Sequence, residues 1–282
     1  MAQTPPVVLS IAGFDPSSGA GVSADIKTIA AHGCYGVGCI TALTVQSTQG
    51  VRRVEPVSGK LIRETLRELA NDIPIAAVRL GMLGNAEVVA AVADFLSTNS
   101  LPNVVLDPIL RSTSGIQLLD DSGAEKLRSL LSLAHVITPN IDEASALAGV
   151  PVTNLEQMKV AALKLHDMGT SNVVVTGGHL ERAIDLLSER QPEGPPRQTE
   201  FGANLLRSNS THGTGCAFAT AIACNLALGR QLGDAVIMAK VYVAKAIGKA
   251  YPLGKGAGPL HHLYRMDEQP RPATEFVEPI HR

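Results

Sequence analysis

The chain has 282 residues, 45% of them apolar, enough to bury the core of one large α/β unit or two small ones. A net charge of −2 with no basic stripe, no Trp and 3% aromatics exclude nucleic acid as the main partner. No apolar run reaches membrane-spanning length, and residues 1–8 lack the basic and apolar regions of a secretory signal.

Residues 7–12 form a continuous apolar run, the mark of a strand buried on both faces. A turn-rich Gly-Phe-Asp-Pro-Ser-Ser-Gly-Ala-Gly stretch ends it at residues 13–21, and helical spacing follows over 19–32. Residues 37–44 read as a second strand, 46–50 as a polar loop, and 58–71 as an amphipathic helix with Leu61, Leu66 and Leu69 on its apolar side. Residues 76–80 read as strand, followed by a Gly-rich turn and a helix through Phe95. Further strands at 104–106, 136–138 and 173–176 lead into Asp107-Pro108, Pro139-Asn140 and Gly177-Gly178. Helices at 121–131, 141–148 and 155–168 separate or follow them. A hairpin with a proline-rich tip is predicted over 183–207, an apolar helix from Cys216, another over 232–251, and a Pro/Gly-rich tail from Pro252.

Strands alternating with helices imply parallel βαβ units, with helices on both faces of one sheet. No linker or internal repeat divides the chain. The expectation is one domain over residues 1–282, with its core at about 7–262 and a peripheral tail at 263–282. In such sheets ligands bind outside the carboxyl ends of the strands. The unusual polar and small residues fall there: Gly13 to Gly21, Gln46, Gly81-Met82, Asp107, Asn140 and Gly177 to His179.

The stretch from Ser210 to Gly215, Ser-Thr-His-Gly-Thr-Gly, runs without a break into the apolar helix of Cys216. Helix N-termini carry unpartnered N–H groups and a dipole that favours anions, and glycines let an anion approach. The stretch reads as a phosphate cradle, or as a turn of glycines before a buried small thiol. A helix N-terminus would also lower the Cys216 thiol pKa. The four cysteines, Cys34, Cys39, Cys216 and Cys224, include no Cys-x-x-Cys pair and read as reduced cytoplasmic thiols. Gly19-Ala-Gly21-Val-Ser-Ala24 mimics a dinucleotide fingerprint, but four residues separate it from the strand turn and no acidic partner follows. No Walker-type loop occurs.

Asp25 shares a helix face with Val22 and Ile29, so its carboxylate needs a partner, either a ligand or a group inside the fold. Lys240 lies on the apolar stripe of its helix, either snorkelling to solvent or meeting phosphate at the cradle. Asn140 and Glu143 have capping-box spacing; Asp107 and Glu143 also suit a hydrated Mg²⁺.

Taken together, these motifs resemble the phosphomethylpyrimidine kinases of thiamine biosynthesis, in the ribokinase-like superfamily. The resemblance runs from about Val8 to His262. It is carried by Ala12-Gly-Phe-Asp-Pro16, Gly19-Ala-Gly-Val-Ser-Ala-Asp-Ile-Lys27, Thr41-Ala-Leu-Thr-Val-Gln46 and Gly81-Met-Leu83. Asp107-Pro108, Thr138-Pro-Asn-Ile-Asp-Glu143, Gly177-Gly-His179 and Thr211-His-Gly-Thr-Gly-Cys216 complete it in order. It implies a three-layer sandwich with a mostly parallel central sheet. It also implies an ATP-dependent kinase that phosphorylates 4-amino-5-hydroxymethyl-2-methylpyrimidine, then its monophosphate, acting as a cytoplasmic homodimer with Mg²⁺ and no nucleic-acid or membrane partner.

By that resemblance Asp25, Gln46 and Gly13 would hydrogen-bond the pyrimidine, and Met82 and Ala20 would pack on its ring. Cys216 would stand where sugar-phosphorylating relatives keep an aspartate base, with Gly213 to Gly215 as the anion hole. Lys240, Asn140, Thr176, Gly178 and Thr211 would meet the nucleotide, and Asp107 and Glu143, with Asn140, would organise Mg²⁺ and its waters. Two departures from the pattern occur: Thr176 where many relatives have lysine, and, in the loop after the first strand, Phe14 and Ser18 where small residues are common. Relatives with the same Cys-bearing cradle also phosphorylate pyridoxal, so pyridoxal kinase is the competing reading, ahead of a non-catalytic pyrimidine-binding protein.

Overall fold

The computed structural model describes residues 4–112, 115–178, 183–203 and 212–267. The first half of the chain forms β1 (Val7–Phe14), α1 (Gly21–Ala31), β2 (Tyr35–Ser47), β3 (Gly50–Pro56), α2 (Gly59–Asp72), β4 (Ile75–Leu80) and α3 (Ala86–Thr98). Next come β5 (Val104–Leu106), α4 (Asp121–Leu131), β6 (Val136–Ile137), α5 (Ile141–Ala148), α6 (Leu155–Asp167) and β7 (Asn172–Val175). The chain continues through β8 (Ala183–Glu189), β9 (Arg197–Ala203), α7 (Thr214–Ala227), α8 (Leu232–Gly248) and α9 (Tyr264–Asp267).

The nine strands of the described residues share one sheet, in the order β3-β2-β1-β4-β5-β6-β7-β8-β9. The six strands from β2 to β7 run parallel, while β3, β8 and β9 are antiparallel extensions at the two edges. Successive side chains of a strand face opposite ways, and here both ways lead into a core. Leu9, Ile11, Val78, Leu80, Val104, Leu106 and Val173 pack toward the helices α2 to α6. Val8, Ala77, Val105, Val136 and Val174 pack toward α1, α7 and α8. This double burial explains why the parallel strands read as unbroken apolar runs. Truncating a fully buried side chain such as Leu106 to Ala would cost about 2–5 kcal/mol.

Helix α7 is buried from Cys216 to Leu226, as expected of a helix apolar all round. It packs on β1, β4 and β5 and between α1 and α8. That position brings its N-terminus to the carboxyl ends of the central strands.

The edges differ from the sequence expectation. The segment 46–50, predicted as a loop, lies largely in a hairpin: β2 extends to Ser47 and turns into β3. The exposed Arg52, Arg53 and Glu55 of β3 hide its strand character, because this hairpin projects beyond the core. In α2 the buried apolar side chains are Ile62 and Leu66, whereas Leu61 is exposed. The tail expected to be peripheral from residue 263 begins with packed residues. Tyr264 is buried against Tyr242, and Arg265 Nη1 donates to the Ala31 carbonyl at 3.0 Å.

Candidate active site

A cavity of about 640 Å³ opens at the carboxyl ends of the parallel strands. One end is lined by Gly13, Phe14, Ala20, Gln46, Val51, Met82 and Leu118. The other is lined by Thr176, Gly178, Asp185, Lys240 and Ala244. Gly213, Gly215 and Cys216 lie between them, with Asp107, Asn140 and Glu143 alongside. All but two of the anticipated site residues therefore share one cavity. The exceptions are Asp25, placed elsewhere, and Thr211, outside the described residues.

Asp25 is a correction. It does not line the cavity and is wholly buried beneath it. Its Oδ2 accepts from Ser10 Oγ at 2.6 Å and its Oδ1 from Thr220 Oγ1 at 2.7 Å. Arg79 Nη1 lies 3.2 Å from Oδ2. The carboxylate thus pairs inside the fold, the alternative left open by its position on the inward face of α1. An isolated buried charge is unaffordable, and these groups satisfy it.

The cradle is built on backbone. Gly213 caps α7 with φ 83°, and no side chain among the described residues caps that helix. A Cβ on Gly213 would overlap the Gly19 carbonyl, so glycine is needed both for the left-handed backbone and for the close approach. The first turn of α7 thus brings the positive end of the helix dipole to the cavity.

Cys216 sits in that first turn, but its ionisation departs from expectation. Burial pushes its thiol up to about 11; Arg79 pulls it down, while Asp107 and Asp25 push with burial. Desolvation of the thiolate outweighs the favourable helix end.

The acceptor end is held by a group of residues that the sequence reading did not single out. Asp15 Oδ2 accepts from Gly19 N at 3.2 Å and Ala20 N at 3.0 Å, and Oδ1 accepts from Ser17 N at 2.8 Å. His212 Nε2 lies 2.8 Å from Asp15 Oδ2. Burial raises the Asp15 carboxyl, yet the hydrogen bonds from His212 and Ser17 hold it below its ordinary value. His212 Nε2 also lies 3.2 Å from the Gln46 amide, whose other end meets Thr44 Oγ1 at 3.2 Å. Thr44 Oγ1 donates its one proton to the Phe14 carbonyl at 2.9 Å. The Gln46 amide is thus held between the imidazole of His212 and the hydroxyl of Thr44, with Asp15 on the far side of the same His212 nitrogen. Gln46 therefore faces the cavity as an amide already oriented by its neighbours.

At the other end Lys240 Nζ lies 2.5 Å from Asp185 Oδ2, and Asp185 Oδ1 accepts from Gly177 N at 3.0 Å. Lys240 does not snorkel; β8 fixes its ammonium in the cavity wall beside Thr176 and Gly178.

Asn140 and Glu143 form the anticipated capping box of α5, each side chain bonded to the other's backbone N–H at 2.9 Å. Glu143 Oε2 nevertheless reaches a buried, crowded place. Burial and the charge of Asp107 push its carboxyl up to about 8. Burial pushes Asp107 up to about 6, with Arg79 opposing and Asp25 adding. No cluster of three or more His, Cys, Asp or Glu suited to a metal occurs among the described residues. Two mutually repelling carboxylates are still a donor set that suits a hard, hydrated divalent cation, which keeps most of its waters.

The missed residues had signals. Arg79 is a lone charge in an apolar strand, and Asp185 is a lone charge in the strand Ala-Ile-Asp-Leu-Leu. Both require internal partners.

Comparison with known proteins places the chain in a family. The phosphomethylpyrimidine kinase family model matches residues 15–261. The chain belongs to that family. It is 40% identical to the hydroxymethylpyrimidine/phosphomethylpyrimidine kinase of Aquifex aeolicus, over 89% of this chain and 97% of the relative. It is 39% identical, over 93% of its length, to the thiamine biosynthesis bifunctional protein ThiED of Geobacter sulfurreducens, and spans 53% of that longer relative. Among solved structures, the ADP complex of Bacillus subtilis pyridoxal kinase superposes with a TM-score of 0.84 at 31% identity. That match covers 93% of this chain and 100% of the other. The three-layer, ribokinase-like architecture expected from the motifs is thus the one observed.

Proposed function

We propose that the chain transfers the γ-phosphoryl group of ATP to the hydroxymethyl oxygen of 4-amino-5-hydroxymethyl-2-methylpyrimidine, and then phosphorylates the resulting monophosphate. One observation carries this reading. A single cavity joins a largely apolar end, suited to a small aromatic ring, to a lysine-bearing end across the N-terminus of α7.

In the first step the acceptor oxygen bonds to phosphorus as the bond to the β-phosphate oxygen breaks. The acceptor proton passes to the Cys216 sulfur. Phosphoryl transfer needs positioning and charge neutralisation above all. The N–H groups of α7 and the Lys240 ammonium supply fixed positive charge where negative charge gathers. Gly13, Ala20 and Met82 bound the ring, while Gln46 offers it an oriented amide. Asn140, Thr176 and Gly178 line the nucleotide side, where Thr211, outside the described residues, is also assigned. Mg²⁺ held by Asp107 and Glu143 would relieve their mutual repulsion and offset phosphate charge.

The second step has an acceptor that is already anionic. The same site serves it without needing a base.

A pyridoxal kinase reading is favoured by one observation, the close superposition on the Bacillus subtilis enzyme. A coupled assay of ADP release with each acceptor separates the two readings. Turnover with the hydroxymethylpyrimidine supports ours, and turnover with pyridoxal alone contradicts it. No helix among the described residues is long and apolar enough to cross a membrane. We assign the protein to the cytoplasm as a homodimer. Exposed Leu43 and Val45 on β2 offer apolar surface for a second copy, and sedimentation tests that assignment.

A further inference from the structure

The basic side chains of the cavity wall are mostly paired. Lys240 at the nucleotide end lies against Asp185, Arg79 at the centre is held by Asp25 and Asp107, and His212 meets Asp15. Arg111 differs. It lines the same cavity, yet among the described residues no carboxylate lies within ion-pair distance of it. Its guanidinium makes one hydrogen bond there, a long one from Nη1 to the Gly115 carbonyl at 3.4 Å.

The course of the chain places Arg111 at the acceptor end. The segment after β5 runs along the cavity, and Asp107, Ile109 and Arg111 all line it. It then folds back: Arg111 pairs with Gln117, and Leu118 N donates to the Leu110 carbonyl at 2.9 Å. Ile109 and Leu118, on either side of that pairing, pack in a small apolar cluster with Val51 and Met82. Those two residues wall the end read as the pyrimidine pocket. Arg111 itself is exposed, so its long side chain keeps the freedom to meet a ligand that enters.

The two acceptors make different demands on that end. The hydroxymethylpyrimidine is neutral there. Its monophosphate carries about two negative charges near neutral pH and must approach the γ-phosphate of ATP. The pocket around it otherwise offers small and apolar side chains, the Gln46 amide and the Asp15 carboxylate. We propose that Arg111 is the specificity-determining residue of the second phosphorylation: its guanidinium binds the phosphate of the monophosphate acceptor at the rim of the pyrimidine pocket. The inference rests on the two-step reading given above. In the second step one acceptor phosphate oxygen bonds to the γ-phosphorus as the bond to the β-phosphate oxygen breaks; ADP leaves and no proton need move. Arg111 holds the oxygens that do not react. A planar guanidinium can take two of them at once, which an ammonium cannot.

The test compares the two acceptors in binding and in turnover. Purified chain is titrated by calorimetry, without nucleotide, with the hydroxymethylpyrimidine monophosphate and separately with the hydroxymethylpyrimidine. KM is then measured for each acceptor and for ATP. In Arg111→Gln the Kd and KM of the monophosphate should each rise about tenfold or more, the loss of a charge-assisted pair. The values for the unphosphorylated acceptor and for ATP should move by less than about twofold, because neither meets Arg111. Arg111→Lys should recover part of the loss, ending within about threefold of the wild type, since it restores the charge without the fork. Raising KCl from about 20 to 200 mM should weaken monophosphate binding more in the wild type than in Arg111→Gln. Arg111 is exposed and outside any ion pair among the described residues, so both variants should fold. Equal weakening of both acceptors, a rise in the ATP KM alone, or an unchanged monophosphate Kd overturns the proposal. A wild-type chain that binds the monophosphate but does not phosphorylate it contradicts the two-step reading instead, and the Kd comparison still decides the role of Arg111.

Discussion

Replacing Cys216 by Ser separates chemistry from packing. The two side chains are similar in size, so the buried first turn of α7 keeps its shape, but the accessible thiolate is lost. With the thiol pushed up to about 11, only about one sulfur in several thousand is ionised near neutral pH. That small fraction is a strong base, and general-base catalysis contributes about 10²–10⁴-fold. Cys216→Ser should therefore slow phosphorylation of the hydroxymethyl group by about that factor. Phosphorylation of the monophosphate, whose attacking oxygen is already anionic, should slow by less than about tenfold. Each rate is to be measured separately, with purified acceptor and saturating Mg·ATP. Equal losses in both steps would refute the base assignment and leave Cys216 a packing residue of the cradle.

The same ionisation predicts that the first-step kcat of the wild-type chain rises nearly tenfold per pH unit between about pH 7 and 9, since the thiolate fraction does; a plateau below about pH 8 would contradict it. Asp25→Ala should lower folding stability by about 3–5 kcal/mol, because it removes one of the two carboxylates paired with the buried Arg79 guanidinium and leaves the Ser10 and Thr220 hydroxyls without their acceptor; a denaturant melt showing wild-type stability with only weaker pyrimidine binding would contradict the buried-pair reading. Lys240→Met should raise the ATP KM or lower kcat in a folded protein, and unchanged ATP kinetics would rule out its phosphate contact. Stability should fall between about pH 4.5 and 8, where the folded chain keeps protons on Glu143 and Asp107 that the unfolded chain has shed. Thermal melts should show Mg²⁺ offsetting that fall and Glu143→Gln reducing it; melts insensitive to both would remove the carboxylate pair from the metal assignment.

The parallel core was legible because burial on both faces writes itself as apolar runs, and the polar breaks after Leu106 and Ile137 marked where ligands bind. What escaped lay in pairings between distant segments. Asp25 and Arg79 are each visible as a charge among apolar residues, but their contact depends on β1, β4 and α1 converging. Asp15 and His212 sit 197 positions apart, and each alone looks like a loop residue. Edge strand β3 escaped because solvent-facing Arg52, Arg53 and Glu55 erase the apolar signal. The Cys216 ionisation was misjudged for a related reason: a helix N-terminus is local, whereas the depth of burial and two nearby carboxylates are not.

The central claim is that one cavity performs both phosphorylations on the pyrimidine. It is tested most directly by ³¹P NMR of the purified chain with the hydroxymethylpyrimidine and excess Mg·ATP. The account predicts a monophosphate signal that rises first and then gives way to the diphosphate, with both signals abolished together when Gly213→Val distorts the cradle by driving a side chain into the Gly19 carbonyl. A chain that turns over pyridoxal but leaves the pyrimidine unphosphorylated would contradict it.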